Sequence, residues 1–178
     1  MILSGDEIKR QIESSAITVT PFEPEHINPN SIDLTMGDTL LQYCDTVIDP
    51  RVEPEVTEVK IPETGLLLKP LSFSLGSSQE IVGSTEFVPM VHAKSSTARA
   101  GLFVHVTADL IDIGSIGTVT FQLLSVLPIK IYPGMRIGQM TFWKAQGNIK
   151  LYSGKYQGSK GPMKSMTFRD RYWDTLPH

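Results

Sequence analysis

The segment Ala93-Lys94-Ser95-Ser96-Thr97-Ala98-Arg99-Ala100-Gly101 places two serines, a lysine and an arginine within six residues. That set suits a phosphate group, because arginine binds phosphate oxygens through two parallel N–H bonds and lysine adds a compact charge. The plainer reading of the same residues is a helix start with ordinary serine capping. A second cluster follows in Ala108-Asp109-Leu110-Ile111-Asp112-Ile113-Gly114-Ser115-Ile116-Gly117, where two carboxylates sit in a glycine-bounded turn ahead of a strand-forming run. Turn aspartates commonly bond their own backbone. The alternative is a carboxylate that anchors a sugar hydroxyl or positions a water.

The tail Gly154-Lys155-Tyr156-Gln157-Gly158-Ser159-Lys160-Gly161-Pro162 mixes lysine, glycine and an aromatic. It reads either as a disordered terminus or as a flap over a phosphate ligand, with lysine supplying charge and glycine permitting close backbone approach. Other chemistries lack their residues. His92 and His105 have no cysteine or further histidine at metal-ligand spacing. The H-x-E with P-C-x-x-C pattern of zinc deaminases is absent, so no protein-bound zinc is expected. Neither G-x-G-x-x-G nor the Walker A pattern occurs, which removes the two common nucleotide-binding loops.

The elements that must position these clusters are mostly short strands. The 14 glycines and 12 prolines are dispersed between β-branched runs, as in an all-β domain. One helix opens the chain, with Ser4 as N-cap, Glu7 three residues on to close a capping box, and Ile8 and Ile12 on one face. It is expected to end near residues 14–15. Strands are expected at 31–34, 66–68, 73–76, 81–82, 88–93, 118–125, 129–131 and 140–144. In Thr118-Val119-Thr120-Phe121-Gln122-Leu123, alternation puts Val119, Phe121 and Leu123 on one face and Thr120 and Gln122 on the other. The proline-rich segment 49–62 reads as a surface excursion. Ile131-Tyr132-Pro133-Gly134-Met135-Arg136-Ile137-Gly138-Gln139 is a Pro-Gly turn between two strands. The fold class is mainly β, a barrel or sandwich with an N-terminal helix, and residues 1–178 read as one domain.

The chain has 178 residues, with 16 basic and 19 acidic side chains giving −3, 40% apolar and 20% charged residues. That is an ordinary globular composition at a size that builds its own core. The slightly acidic balance argues against unspecific nucleic-acid binding. No apolar run is long enough for a membrane span and the N-terminus lacks a signal-peptide layout. Cys44 is the sole cysteine, so no internal disulfide forms, and a cytoplasmic location is expected.

Taken in order, these segments resemble the dCTP deaminase branch of the dUTPase superfamily over nearly the whole chain. MILSGDEIKRQIE is similar to the family's opening helix, and Asn28-Pro29-Asn30-Ser31-Ile32-Asp33-Leu34-Thr35-Met36-Gly37 to its P-S-S-V-D-L-R-L-G strand. Lys94 to Leu102 resembles its R-S-S-x-A-R-L-G-L phosphate motif, with lysine where arginine is usual. His105-Val106-Thr107-Ala108, then Ile111-Asp112, resembles the lining of the pyrimidine and sugar pocket, and Leu127-Pro128 through Gln139 the motif after the catalytic strand. Tyr152, Lys155 and Tyr156 resemble the C-terminal arm, here residues 154–178.

The resemblance implies a distorted β jelly-roll assembling as a homotrimer, with active sites between subunits. It implies a deoxynucleoside triphosphate ligand that carries Mg²⁺ on its phosphates. Carried over residue by residue, Ser95, Ser96 and Arg99 would contact phosphates, with Lys94 doing similar work. Ala108 would use its backbone near the base, Asp112 would bind the sugar, and Lys155 would close over the triphosphate beside Tyr152 and Lys160. Asp109 stands where a neutral or basic residue is usual, Ile113 where proline is, Ser115 replaces an aromatic, and Ser159 replaces an arm glutamine. In family deaminases a glutamate on the strand after the glycine turn activates water to attack C4 of cytosine, and here that position is Gln122. An amide takes no proton from water at neutral pH, and loss of a general base costs about 10²–10⁴ in rate.

Three activities follow. The expected one is dCTP deamination, dCTP and water giving dUTP and ammonia, because the Ser-Ser-x-Ala-Arg and His-Val-Thr-Ala segments resemble that branch. A dUTPase-like hydrolysis releasing pyrophosphate, with Asp112 as base, is the alternative. A non-catalytic deoxynucleotide-binding protein is the third.

Overall fold

The structure is a computed structural model that describes residues 1–175. Helix α1 (Gly5–Glu13) starts where the capping residues place it. Ser4 is extended, its hydroxyl oxygen accepts the Glu7 N–H at 3.4 Å, and Ser14 ends the helix. The Glu7 carboxylate does not return to the cap; it turns along the helix to Arg10 and to Gln11, the latter at 2.7 Å. Ile8 is fully buried and Ile12 packs against the core.

The remaining elements are β1 (Ile17–Thr20), β2 (Ile27–Asn28), β3 (Ser31–Thr35), β4 (Thr39–Tyr43), β5 (Val56–Lys60), β6 (Leu66–Leu68), β7 (Ser72–Ser84), β8 (Phe87–Ala93), the short helix α2 (Ser95–Arg99), β9 (Leu102–Phe103), β10 (Ile116–Ser125), β11 (Ile129–Ile131) and β12 (Arg136–Lys144). One sheet runs β5-β4-β7-β10-β9 with β1 added beside β7, a second runs β2-β3-β12-β8, and β11 pairs with β6. The pairings are antiparallel. The fold is therefore mainly β with a helix at its front, as its sequence indicates.

The core lies between the two larger sheets. Phe121 and Leu123 from β10 share it with Ile32, Leu34, Phe142 and Ile137, all essentially inaccessible. Burial alternates along β10, so Gln122 stays half-exposed on the opposite face from its neighbours. Gly138 on β12 fits because the Phe121 ring lies 3.2 Å from where a Cβ would stand.

Two expectations need correction, and an open one is decided. The strands expected at 73–76 and 81–82 are one thirteen-residue strand, β7. Its middle is filled by buried polar groups that break the apolar pattern: Ser77, Ser78 and Glu80 are each under 5% exposed. The Glu80 carboxylate accepts the Thr35 N–H at 3.0 Å and hydroxyl at 2.7 Å, which fastens β7 to β3. The excursion expected over 49–62 is only partly loop, since 56–60 form β5 in register with β4 from Thr39↔Lys60 to Tyr43↔Val56. Pro50, Pro54 and Pro62 all fall outside that strand, as their missing N–H requires. Of the two readings of the polar tail, a disordered terminus or a flap, the first does not hold: the tail packs along β10, as described below. Among the described residues no helix is long and apolar enough to cross a membrane.

Candidate functional site

Gln122 lines a cavity of about 420 Å³ bounded by β7, β10, the 108–111 turn and the C-terminal tail. Val91, Ile111 and Val119 supply apolar wall, while Ala108, Ser115 and Thr120 add polar or backbone surface. The backbone N–H of Gln122 bonds the Val104 carbonyl at 2.8 Å. Its side-chain Oε1 accepts the Val106 N–H at 3.4 Å. A backbone N–H can only donate, so this contact orients the amide, with its oxygen on Val106 and its –NH₂ turned elsewhere.

Beside Gln122 the 105–108 segment is braced by a histidine pair. The rings of His92 and His105 meet edge to face with centroids 6.5 Å apart. His92 Nε2 lies 3.0 Å from the Thr141 hydroxyl, while His105 Nδ1 is buried without a protein partner. Burial, and then the neighbouring His105, hold the His92 imidazole below its ordinary pKa, with Asp109 opposing them. Asp109 is half-buried and its carbonyl takes the Val91 N–H at 2.9 Å, fixing the turn to β8.

The turn then separates its two ends. Asp112 is exposed, and it lines a second cavity of about 560 Å³ with Tyr152, Lys150 and Gly154. Among the described residues only Ile111 borders both cavities. Gly114 makes the geometry possible. Its φ is +93°, and a Cβ there would stand 2.8 Å from the Tyr152 backbone nitrogen, so other residues are excluded on both counts.

The phosphate-suited cluster lies elsewhere. Ser95, Ser96 and Arg99 are exposed on α2, anchored by buried Thr97, and none of them lines either cavity. Lys94 is drawn the other way. Its Nζ lies 2.5 Å from both carboxylate oxygens of Asp33, which is buried on β3 and also receives Asn28 Nδ2 at 2.8 Å. Arg136 approaches the same carboxylate at 3.6 Å.

The tail runs back beside β10. Gln157 accepts the Ile116 N–H at 3.0 Å and donates to the Gly114 carbonyl at 2.7 Å. Ser159 exchanges two bonds with Thr118, and the Met163 N–H donates to the Thr120 hydroxyl at 3.1 Å. Farther on, Lys164 pairs with Glu53 at 2.8 Å and the Ser165 N–H reaches the Tyr43 hydroxyl at 3.1 Å. Of the arm residues singled out in the sequence, Ser159 and Tyr156 line the Gln122 cavity and Tyr152 the second one. Lys155 is held by the Asp170 carboxylate, and Lys160 is exposed in a groove with Asp38 and Glu63. Tyr43 from β4 and Met163, Lys164 and Ser165 from the tail also line the Gln122 cavity without any local signal, since only long-range packing of strand and tail brings them there. Thr120 could have been found from its two-residue offset to Gln122. Among the described residues no three His, Cys, Asp or Glu side chains gather to hold a metal ion.

Comparison with known proteins bears on this geometry. A family model described as dCTP deaminase-like matches residues 2–145. A relative from Clostridium beijerinckii called "dCTP deaminase, dUMP-forming" is 43% identical over 171 residues, covering 96% of this chain and 98% of its own. One of the same description from Cytophaga hutchinsonii is 40% identical over equal spans. Among solved structures, the 2′-deoxycytidine 5′-triphosphate deaminase from Agrobacterium tumefaciens superposes with a TM-score of 0.65 at 19% identity, over 81% of this chain and 48% of that one. At that identity the likeness speaks for the fold alone.

Proposed function

Because this chain belongs to the dCTP deaminase-like family, we propose that it is a dUMP-forming hydrolase of pyrimidine deoxynucleoside triphosphates. This amends the reaction expected from the sequence, which stops at dUTP, since the relatives are named for dUMP as product. The observation that carries the reading is the split turn. Ala108 borders the Gln122 cavity, while Asp112, four residues on, exposes its carboxylate at the adjoining one.

That layout suits two hydrolyses on one ligand. With the pyrimidine in the Gln122 cavity, water adds at C4 and ammonia leaves. Gln122 orients this water and takes no proton from it, which makes deamination the slower half. At the other end Asp112 accepts a proton from a water attacking the α-phosphorus, the bond from that phosphorus to the bridging oxygen breaks, and pyrophosphate departs. Mg²⁺ carried on the triphosphate oxygens would offset their charge, with Ser95, Ser96 and Arg99 as phosphate donors; Lys155 would have to leave Asp170, and Lys160 its separate groove, to join them.

The proposed active unit is a homotrimer. Ser95, Ser96 and Arg99 are exposed and line neither cavity of their own chain, and in the proposed trimer a second copy supplies them to the ligand. Leu71, Phe73, Phe103, Val126 and Leu127, 40–79% exposed, cluster where β9 and β7 flank the end of β10. An apolar patch of this kind marks a protein contact, and Phe73 carries it to the cavity edge. The test of the catalytic assignment is Asp112→Asn. Pyrophosphate release is expected to fall at least about 100-fold with nucleotide binding retained; unchanged release overturns Asp112 as base.

A further inference from the structure

We infer that Gln122 makes its cavity selective for a 4-oxo pyrimidine over a 4-amino one. The inference rests on the reading of that cavity as the base pocket. The Val106 N–H is a fixed donor and engages Gln122 Oε1, which leaves the amide –NH₂ as the group the side chain offers a ligand. Of the nearby hydroxyls, Thr120 Oγ1 accepts the Met163 N–H at 3.1 Å and keeps its own O–H to donate, and Thr118 Oγ1 donates to the Gly161 carbonyl at 3.0 Å.

A uracil-type base presents a carbonyl acceptor at C4 and pairs with that –NH₂ directly. A cytosine-type base presents its own –NH₂ there, so two donors face each other. Accepting from cytosine requires Gln122 Oε1 either to share itself between the Val106 N–H and the cytosine –NH₂ or to turn away from Val106, and either weakens the Val106 bond. A carboxylate at position 122 carries no such conflict, because both of its oxygens accept. An unpaired donor is costly in proportion to its burial. Val106 is 47% exposed, which puts the discrimination at the low end of that range, about fivefold to tenfold in affinity. The residue that weakens deamination thus also turns the pocket toward the deaminated base, and the dUTP-to-dUMP half of the reaction becomes the favoured one.

Calorimetric titration of the full chain with the α,β-imido analogues of dUTP and dCTP tests this. The expected result is dUTP analogue bound about fivefold to tenfold more tightly, with the preference abolished or reversed by Gln122→Glu. Equal affinities, tighter binding of the dCTP analogue, or a preference that Gln122→Glu leaves intact overturns the selectivity while keeping the pocket. Binding of neither analogue overturns the base-pocket reading and the selectivity with it. The wild-type ratio decides the matter even if the variant misfolds.

Discussion

Thr118 and Ser159 hold each other twice. The Thr118 N–H donates to the Ser159 carbonyl at 2.9 Å, and the Ser159 hydroxyl donates to the Thr118 carbonyl at 2.7 Å. The tail is thereby attached to the strand that carries Gln122, two residues from Thr120 and four from Gln122 itself. The tail residues bonded to β10 also form part of the cavity wall.

At Gly117 on β10 the tail packs directly against the strand, and a Cβ there would stand 2.7 Å from the Ser159 backbone nitrogen. Gly117→Ala is expected to lift the tail off β10 without unfolding the sheets. Amide hydrogen exchange at Thr118 and Met163 should accelerate at least about tenfold, and nucleotide affinity should fall with it. Unaltered protection at both amides would mean that this contact does not hold the tail.

Lys94, a candidate phosphate partner from its place in the sequence, lies on a buried carboxylate. Lys94→Met should destabilise the chain by about 2 kcal/mol, less than for an isolated buried pair because Asn28 and Arg136 still serve Asp33. Adding Asp33→Asn to Lys94→Met should cost less than the two single changes summed. Urea denaturation of the four proteins measures both effects, and strict additivity would show that the pair is not coupled.

The depressed pKa of His92 makes stability depend on pH. The folded state binds this proton less readily than the unfolded chain, whose histidine titrates near its ordinary 6.5. Stability from this site is therefore full above about pH 6.5 and is lost as pH falls through the lower folded value. The thermal midpoint should drop between pH 6.5 and pH 5, and His92→Asn should flatten that drop. A variant with the same pH slope as the parent would remove His92 as its source.

What a local sequence window shows, and what it misses, follows from the physics of each element. The alternation around Phe121 and Leu123 marks β10 because one face is core and the other is not. Strand β7 hides because Ser77, Ser78 and Glu80 are buried polar residues, Ser78 and Glu80 held by hydrogen bonds to distant partners rather than by apolar contact. The cavity itself was half legible. Ala108, Gln122, Ser159 and Tyr156 stand out by type and order, and they meet in space. The Lys94–Asp33 pair spans 61 residues and the Ser165–Tyr43 bond spans 122, separations over which no periodicity carries information. Tail residues such as Met163 are placed by backbone hydrogen bonds that any non-proline residue could make.

The most direct test of the account is product analysis after incubating the purified chain with dUTP or dCTP in the presence of Mg²⁺. The account predicts dUMP and pyrophosphate from both nucleotides, with dUTP consumed faster and ammonia released only from dCTP. Absence of pyrophosphate with either nucleotide, or dCTP conversion that halts at dUTP, would contradict it.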